Sequence, residues 1–462
     1  MAVLNPIPSR LEGRKLSFKG GTHPPGHKEI SREQAIERAP VPPEIRLPLS
    51  MHAGAPATPV VAKKDEVSRG QLVAEPGGFV SAPIHSPVVG VIKDILPQPH
   101  QSGRMVPTIV IQTDVEKTEE ALSQETAPDE RADIDISDQA PEKILGAVKD
   151  AGIVGLGGAA FPAFIKLTPN KQKPIDIVIL NGTECEPYLT ADHRLMVERP
   201  GIVIAGLRLA MRATGAQRGA IGIEDNKPDA IASIRRALRE SQVAERIDVC
   251  ELKTKYPQGG ERNLIPAITG RAVPVGGFPP DVGVAIFNVG TAAAMAEAVL
   301  HGKPLMERVL TLTGRGLRNP GNLLALIGTP LQFLIDQRGG LTEDASIAIL
   351  GGPMMGPAAA SLDLPVLKGM SGVTVLTREQ TEPRREYPCI RCGRCVDTCP
   401  LGLMPALLAR LSQRRRAEDA LRCHLLACVE CGPCSYTCPS NIPLVQYIRS
   451  GKALARQLQQ KG

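Results

Sequence analysis

At 462 residues the chain is too long for one ordinary domain, and its length fits roughly three or four. Aromatic residues make up only 3% and Trp is absent, while 45 Gly and 42 Pro point to turns, glycine loops and cores of Val, Ile, Leu and Ala. The formal charge of +6 is no nucleic-acid signature, because the Arg residues are scattered without interleaved aromatics. No apolar run reaches the ~18–20 residues of a membrane span.

Residues 1–46 are Pro-rich and read as an irregular segment, since Pro removes a backbone donor and restricts the residue before it. Met1-Ala-Val-Leu-Asn-Pro lacks the charged start and apolar core of a secretion signal, so an unsecreted chain without a direct membrane span is expected. In Lys19-Gly-Gly-Thr-His-Pro-Pro-Gly-His-Lys28, His23 and His27 have no further ligands nearby and read as polar loop residues. From 47 to 113, short apolar stretches separated by Gly and Pro predict a small β-barrel or sandwich. Val67-Ser-Arg-Gly-Gln-Leu-Val73 followed by Pro83-Ile-His-Ser-Pro-Val-Val-Gly90 resembles the biotinyl/lipoyl hammerhead fold. Ile84-His85-Ser86 stands where such domains carry a modified Lys, so this one is expected to be structural. Residues 114–140 are acidic, with Asp129-Glu130, Asp133 and Asp135, and read as a linker.

Over residues 141–302 helical and strand patterns alternate. Helices are expected at 141–151, 199–213, 227–241 and 291–301, and strands at 175–180, 219–223, 247–252 and 284–287. Such alternation predicts an α/β layer fold with a largely parallel sheet. Its loops carry the polar chemistry. Gly155-x-Gly157-x-x-Ala160, leading to Lys166, follows a helical pattern rather than a strand, which disfavours an ordinary Rossmann turn. Glycines still let a backbone approach a phosphate and Lys166 adds positive charge; a packing turn is the alternative. Asn181-Gly-Thr-Glu-Cys-Glu-Pro187, Lys255-Tyr-Pro-Gln-Gly-Gly-Glu-Arg-Asn263 and Asn288-Val-Gly-Thr291 each follow a strand, where open α/β sheets place their ligand crevice. Together the four loops suggest one shared pocket.

Residues 303–377 return to strands and turns, with one short helix expected at Pro320-Gly-Asn-Leu-Leu-Ala-Leu-Ile327, and read as a β-grasp module. In the last stretch, 378–462, lie nine of the eleven Cys. Cys389-x-x-Cys392-x-x-Cys395-x-x-x-Cys399-Pro and Cys428-x-x-Cys431-x-x-Cys434-x-x-x-Cys438-Pro are one motif written twice. This is [4Fe–4S] spacing, in which the first three Cys wrap one cluster and the fourth reaches the other. One cluster therefore takes Cys389, Cys392, Cys395 and Cys438, and the second takes Cys428, Cys431, Cys434 and Cys399. Zinc needs neither the third C-x-x-C nor the trailing Cys-Pro. At about −2 per thiolate-bound cluster, the net charge becomes about +2. Helical spacing between the motifs predicts a helical double [4Fe–4S] ferredoxin-like domain. Cys185, Cys250 and Cys423 lie outside the ligand spacing.

The four loops in this order resemble the flavin- and NADH-binding subunit of respiratory complex I. With the Gly-Gly-Thr-His-Pro-Pro stretch and the doubled cysteine motif, the chain resembles the RnfC family of the Rnf (Rsx) ion-translocating electron transport complexes, from about residue 10 to 450. The resemblance implies a multidomain α+β and α/β protein: a hammerhead-like β domain, an α/β flavin domain, a β-grasp (SLBB-like) domain and a ferredoxin-like domain. It also implies noncovalent FMN, NADH as substrate and two [4Fe–4S] clusters. By motif match, the flavin site would use Gly155, Gly157, Lys166, Asn181, Glu184, Gly260, Glu261, Asn288 and Thr291, with Glu186 and Phe161 or Phe164 on the NADH side. Two departures stand out: Arg262 where the complex I-like loop has a second Glu, and Gly290 where it has Glu.

NADH delivers a hydride and clusters accept single electrons, so a flavin must stand between them. The implied protein is a peripheral subunit on the cytoplasmic side of the bacterial inner membrane. It would pass electrons to membrane and iron–sulfur subunits, and through them exchange with ferredoxin, with no nucleic-acid role. The competing readings are a cobalamin-reductase-like flavoprotein and a non-catalytic iron–sulfur relay or assembly subunit without flavin.

Overall fold

The computed structural model describes residues 15–125, 134–241 and 246–461. The stretch from Met1 read as lacking a secretion signal and the acidic residues Asp129, Glu130 and Asp133 lie outside them.

The N-terminal segment is more ordered than its Pro content suggests. Leu16 bridges Leu252 in parallel, strand β1 (Ile36–Arg38) pairs with residues 322–324, and β2 (Glu44–Pro48) joins the barrel. Proline forbids helix interiors, but it tolerates edges and extended chain, and the partners that straighten this segment are remote in sequence. The barrel adds β3 (Thr58–Pro59), β4 (Glu66–Val67), β5 (Leu72–Glu75), β6 (Ile84–His85), β7 (Gly90–Pro99) and β8 (Met105–Thr113), in sheets ordered β2-β8-β7-β4 and β3-β5-β6. Ile45 and Leu47 oppose Ile111 and Ile109 across the β2–β8 ladder, and all four are fully buried. The acidic stretch expected as linker begins instead with helix α1 (Val115–Gln124), whose N-cap Asp114 accepts from Lys117 N; a capping carboxylate and Glu-rich first turns favour helix.

Next come α2 (Pro141–Asp150), α3 (Ala163–Leu167), β9 (Ile177–Gly182), α4 (Ala191–Glu198), α5 (Pro200–Thr214), β10 (Arg218–Glu224), α6 (Pro228–Glu240), β11 (Arg246–Leu252), α7 (Glu261–Thr269), β12 (Val284–Asn288) and α8 (Val289–His301). Pro at the first helical position starts α2, α5 and α6. The four strands are all parallel, in the order β11-β10-β9-β12. Ile177-Val-Ile-Leu180 is buried on both faces, as a central parallel strand must be. Helices α5 and α8 cover one face so closely that a Cβ on Gly206 would lie 2.0 Å from Ala292 O.

A five-stranded sheet follows, ordered β1-β14-β13-β16-β15, from β13 (Glu307–Thr313), β14 (Gly321–Leu326), β15 (Ala345–Leu350) and β16 (Gly372–Thr377), with helix α9 at Leu331–Gln337. The helix expected at 320–327 is therefore strand β14. Its Leu-rich run favours helix in isolation, but pairing with β13 on one side and β1 on the other overrides that weak local preference. The C-terminal unit is helical: α10 (Arg394–Asp397), α11 (Pro405–Gln413), α12 (Ala417–Arg422), α13 (Pro433–Tyr436) and α14 (Leu444–Lys461). It holds a core of its own around Leu408, Leu425, Leu444 and Ile448.

Candidate functional site

Sheet order places the site. From β9 the chain adds β10 and β11 on one side and later returns to lay β12 on the other, so the loops leaving β9 and β12 diverge and open a crevice. There a cavity of about 530 Å³ adjoins one of about 170 Å³, the two sharing Gly157, Ala159, Asn181, Gly259, Glu261 and Asn288. The larger volume falls in the range of small-molecule sites. All ten residues expected at a nucleotide pocket line one or both cavities: Glu184, Glu186 and Gly260 the larger; Gly155, Lys166 and Thr291 the smaller; the remaining four both. Phe161 lines the smaller cavity, whereas Phe164 lines neither and meets Phe79 edge-on at 6.3 Å.

Several of these side chains build the walls. Asn181 Nδ2 donates to Gly259 O (2.9 Å) and its Oδ1 accepts from Thr183 Oγ1 (2.6 Å), tying the loop after β9 to the loop after β11. A Cβ on Gly259 would sit 2.3 Å from Thr183 Oγ1, so only Gly fits. Glu184, at φ 43°, accepts from the N–H groups of Asp192 (2.8 Å) and His193 (3.2 Å), completing the first turn of α4. Glu186 accepts from Met354 N and Met355 N, both at 3.0 Å, and so clasps the β-grasp unit. Asn288 caps α8 through Gly290 N, and Thr291 Oγ1 accepts from Leu156 N (2.8 Å), seating the glycine loop. Burial holds the Glu186 carboxyl above the usual carboxylate range.

Lys166 Nζ reaches Ile286 O at 3.3 Å and lies 5.9 Å from the Phe287 ring centroid. Burial holds its pKa below the ordinary lysine value, partly offset by Glu261. The Glu261 carboxylate has no hydrogen-bonded partner among the described residues, which leaves both groups available to a ligand. Arg262, at the departure from the complex I-like pattern, donates to the carbonyls of Val273, Pro274 and Gly277 and pins that loop.

Sequence reasoning missed the buried charges behind the pocket. Lys28 Nζ donates to the carbonyls of Glu184, Glu186 and Leu189, and Lys227 Nζ to that of Thr183. Burial, then the neighbouring Lys227, lowers Lys28 to about 8. Asp192, lining the larger cavity, is raised to about 7, first by burial and then by Glu184. Lys28 closes the Gly-Gly-Thr-His-Pro-Pro-Gly-His stretch, a signal that was available; nothing local marks Lys227 or Asp192.

The cysteines separate into two sets. Cys389, Cys392, Cys395 and Cys438 surround one void, and Cys399, Cys428, Cys431 and Cys434 another, so each trailing Cys has crossed to the other motif's loop. Each set joins three Cys of one motif to the trailing Cys of the other, the arrangement of a double [4Fe–4S] fold. Leu403 N and Glu430 N donate to Cys399 Sγ and Cys428 Sγ, both at 3.4 Å. Cys389 and Cys392 are exposed and Cys434 is buried. Cys431, with Leu401 and Val429, also walls the larger nucleotide-sized cavity. Cys250 is buried within β11, and Cys423 packs against the C-terminal core.

Comparison with known proteins gives four family matches: an RnfC barrel sandwich hybrid domain over residues 16–116, a Nuo51 FMN-binding domain over 148–297, an SLBB domain over 309–358 and a 4Fe-4S dicluster domain over 388–442. The chain is 45% identical over 86% of its length to the C component of the Na(+)-translocating ferredoxin:NAD(+) oxidoreductase complex of Acetobacterium woodii, covering 88% of that protein. It is 45% identical to the C component of the proton-translocating ferredoxin:NAD(+) oxidoreductase complex of Clostridium ljungdahlii, over 94% of this chain and 93% of that protein. With the C component of the ion-translocating oxidoreductase complex of Rhodobacter capsulatus the identity is 42%, over 95% of this chain and 83% of that protein. Among solved structures, an NAD+-reducing [NiFe]-hydrogenase in the H2-reduced state shares the fold, with a TM-score of 0.51 and 21% identity over 72% of this chain and 65% of that one.

Proposed function

The chain belongs to the RnfC family of ion-translocating oxidoreductase complex components, and from that membership we propose which of its residues serve NADH oxidation and in what order they lie. It is an oxidoreductase component that works with other subunits, and none of its described helices is long and apolar enough to cross a membrane. Its cofactors are FMN and two [4Fe–4S] clusters. A flavin held by this chain would supply the link between the two-electron hydride chemistry of NADH and the one-electron chemistry of the clusters.

One observation carries the assignment of residues. The cavity formed by the glycine, Asn and Glu loops of the parallel sheet also has Cys431 in its wall. A group held there lies beside the thiol set Cys399, Cys428, Cys431 and Cys434, whereas Cys389 and Cys392 of the other set face solvent. The first set is therefore the neighbour of the flavin and the second the exit toward partner subunits. In this reading Lys166 supplies positive charge to the flavin, and Gly155, Gly157 and Gly260 let backbone N–H groups approach it. Asn181, Glu184, Asn288 and Thr291 act mainly by holding the loops, since their polar atoms are engaged within the protein. Glu186 shapes the NADH side from the β-grasp border, and Glu261 offers an acceptor to the ligand. The complex exchanges electrons with ferredoxin through its other subunits, and this chain sits on the cytoplasmic face of the membrane.

Anaerobic purification with iron, acid-labile sulfide and flavin quantified together tests the reading. NADH should bleach the flavin absorbance. Protein that holds no FMN after reconstitution yet retains its iron would mean a relay without a flavin.

A further inference from the structure

Lys28 comes from the N-terminal segment, outside the α/β unit whose loops form the cavity. Its ammonium lies against three carbonyls of one loop: Glu184 O at 2.8 Å, Glu186 O at 3.0 Å and Leu189 O at 2.5 Å. The rest of the segment follows the same loop. Tyr188 N donates to Gly26 O (2.7 Å), the His27 ring stacks on Tyr188 with centroids 4.7 Å apart, and Ser31 Oγ meets Thr190 Oγ1 at 2.8 Å. A second ammonium, Lys227 Nζ, takes Thr183 O at 2.6 Å.

In a trans peptide the C=O of one residue and the N–H of the next point in opposite directions. Carbonyls 183 and 184 face the two ammoniums, so the N–H groups of Glu184 and Cys185 turn away from them. Both residues line the larger cavity, and neither N–H has a protein acceptor among the described residues. The left-handed φ of Glu184 lies within this turn, the kind of conformation that gathers successive N–H groups toward an anion or a carbonyl oxygen.

We propose that Lys28 is a positioning residue of the nucleotide site, its buried ammonium fixing residues 184–189 so that the N–H groups of Glu184 and Cys185, rather than the neighbouring carbonyls, are offered to the ligand. The proposal rests on the reading of this cavity as a nucleotide site. A neutral side chain at 28 leaves three carbonyls buried without a donor, and the loop must rotate to hydrate them. That rotation carries Glu184 off the start of α4 and Glu186 off Met354 and Met355.

The test compares full-length wild type with Lys28→Met, and with Lys28→Gln as the milder change should the first not fold. Hydrogen–deuterium exchange is read without ligand, FMN affinity by fluorescence quenching, and iron by chemical assay. Exchange should rise about tenfold or more at the hydrogen-bonded amides of 183–190, those of Thr183, Tyr188 and Thr190, while residues 247–252 stay unchanged, and FMN should bind about tenfold more weakly with iron content unaltered. Unchanged exchange at 183–190, or a rise spread evenly over the whole sheet, overturns the proposal. If wild type binds neither FMN nor NADH while the variant still loosens 183–190, Lys28 keeps its hold on the loop and the nucleotide reading falls instead.

Discussion

Asn288 Nδ2 donates to Asp192 Oδ2 across 2.6 Å, joining the end of β12 to the first turn of α4 at the floor of the cavity. The same side chain spends its Oδ1 on Gly290 N and Thr291 N, so one residue caps a helix and satisfies a buried carboxyl.

Asn288→Ala removes both. Losing the cap costs about 1 kcal/mol, and leaving the Asp192 carboxyl without its donor costs about 1–3 kcal/mol more. Urea unfolding of the variant should show that drop with an unchanged slope. Asn288→Asp keeps the cap but sets two carboxyl groups against each other, so its deficit should grow as pH rises past 7.

Lys166→Met should bind FMN at least about tenfold more weakly, a lost charge-assisted hydrogen bond being worth about 1.5–3 kcal/mol. Glu184→Gln weakens the hold on α4 and should lower flavin content more modestly. Iron per chain is expected to match wild type in both. Full flavin and undiminished NADH oxidation in the two variants would place the nucleotide elsewhere.

The crossed cysteine sets make an unequal prediction for the two trailing residues. Cys438→Ser should disturb the cluster held by Cys389, Cys392 and Cys395, and Cys399→Ser the one held by Cys428, Cys431 and Cys434. Each variant should fall from about eight to about four iron per chain when its cluster is lost outright. Only Cys399→Ser should also perturb the signal of a flavin in the adjoining cavity. Electron paramagnetic resonance of the reduced proteins reads both effects.

Glu307 gives the pH prediction. Its carboxylate lies 2.9 Å from Arg38 Nη1, 3.3 Å from Arg69 Nη2 and 2.5 Å from Lys303 Nζ, joining β1, the barrel and β13. Burial alone would raise its pKa; Lys303 and Arg38 outweigh that and hold it at about 2. Between pH 4.5 and about 2 the unfolded chain carries a proton at this site that the folded chain does not. Acid therefore favours unfolding through that window, by roughly 3 kcal/mol in all. Above pH 4.5 the stabilisation is complete. Glu307→Gln should be less stable than wild type at neutral pH, and the gap should narrow on acidification from about 4.5 toward about 2, as thermal unfolding at fixed ionic strength can show.

Much of the α/β unit was legible locally. The helix expected at 227–241 is observed at Pro228–Glu240 and the strand at 247–252 at Arg246–Leu252, because Pro starts, apolar strand cores and turn residues all act within a few positions. The missed strands have one cause. Strands β1 and β14 pair Ile36 with Asn322, and neither segment carries in its own residues the partner that makes it extended. Leucine-rich 321–326 reads as helix until that pairing is known.

Cysteine spacing, the order of the four polar loops and the alternation of apolar runs are one-dimensional facts. They determined that two clusters and a nucleotide-binding α/β unit share this chain. Tertiary structure alone decided that Cys431 rather than Cys389 walls the cavity, that Asn181 and Asn288 spend their polar atoms on neighbouring loops, and that Lys28 stands behind a loop more than a hundred and fifty positions away. The reason is that a buried charge or amide takes whatever partner the packed chain brings within about 3 Å, and sequence distance has no part in that choice.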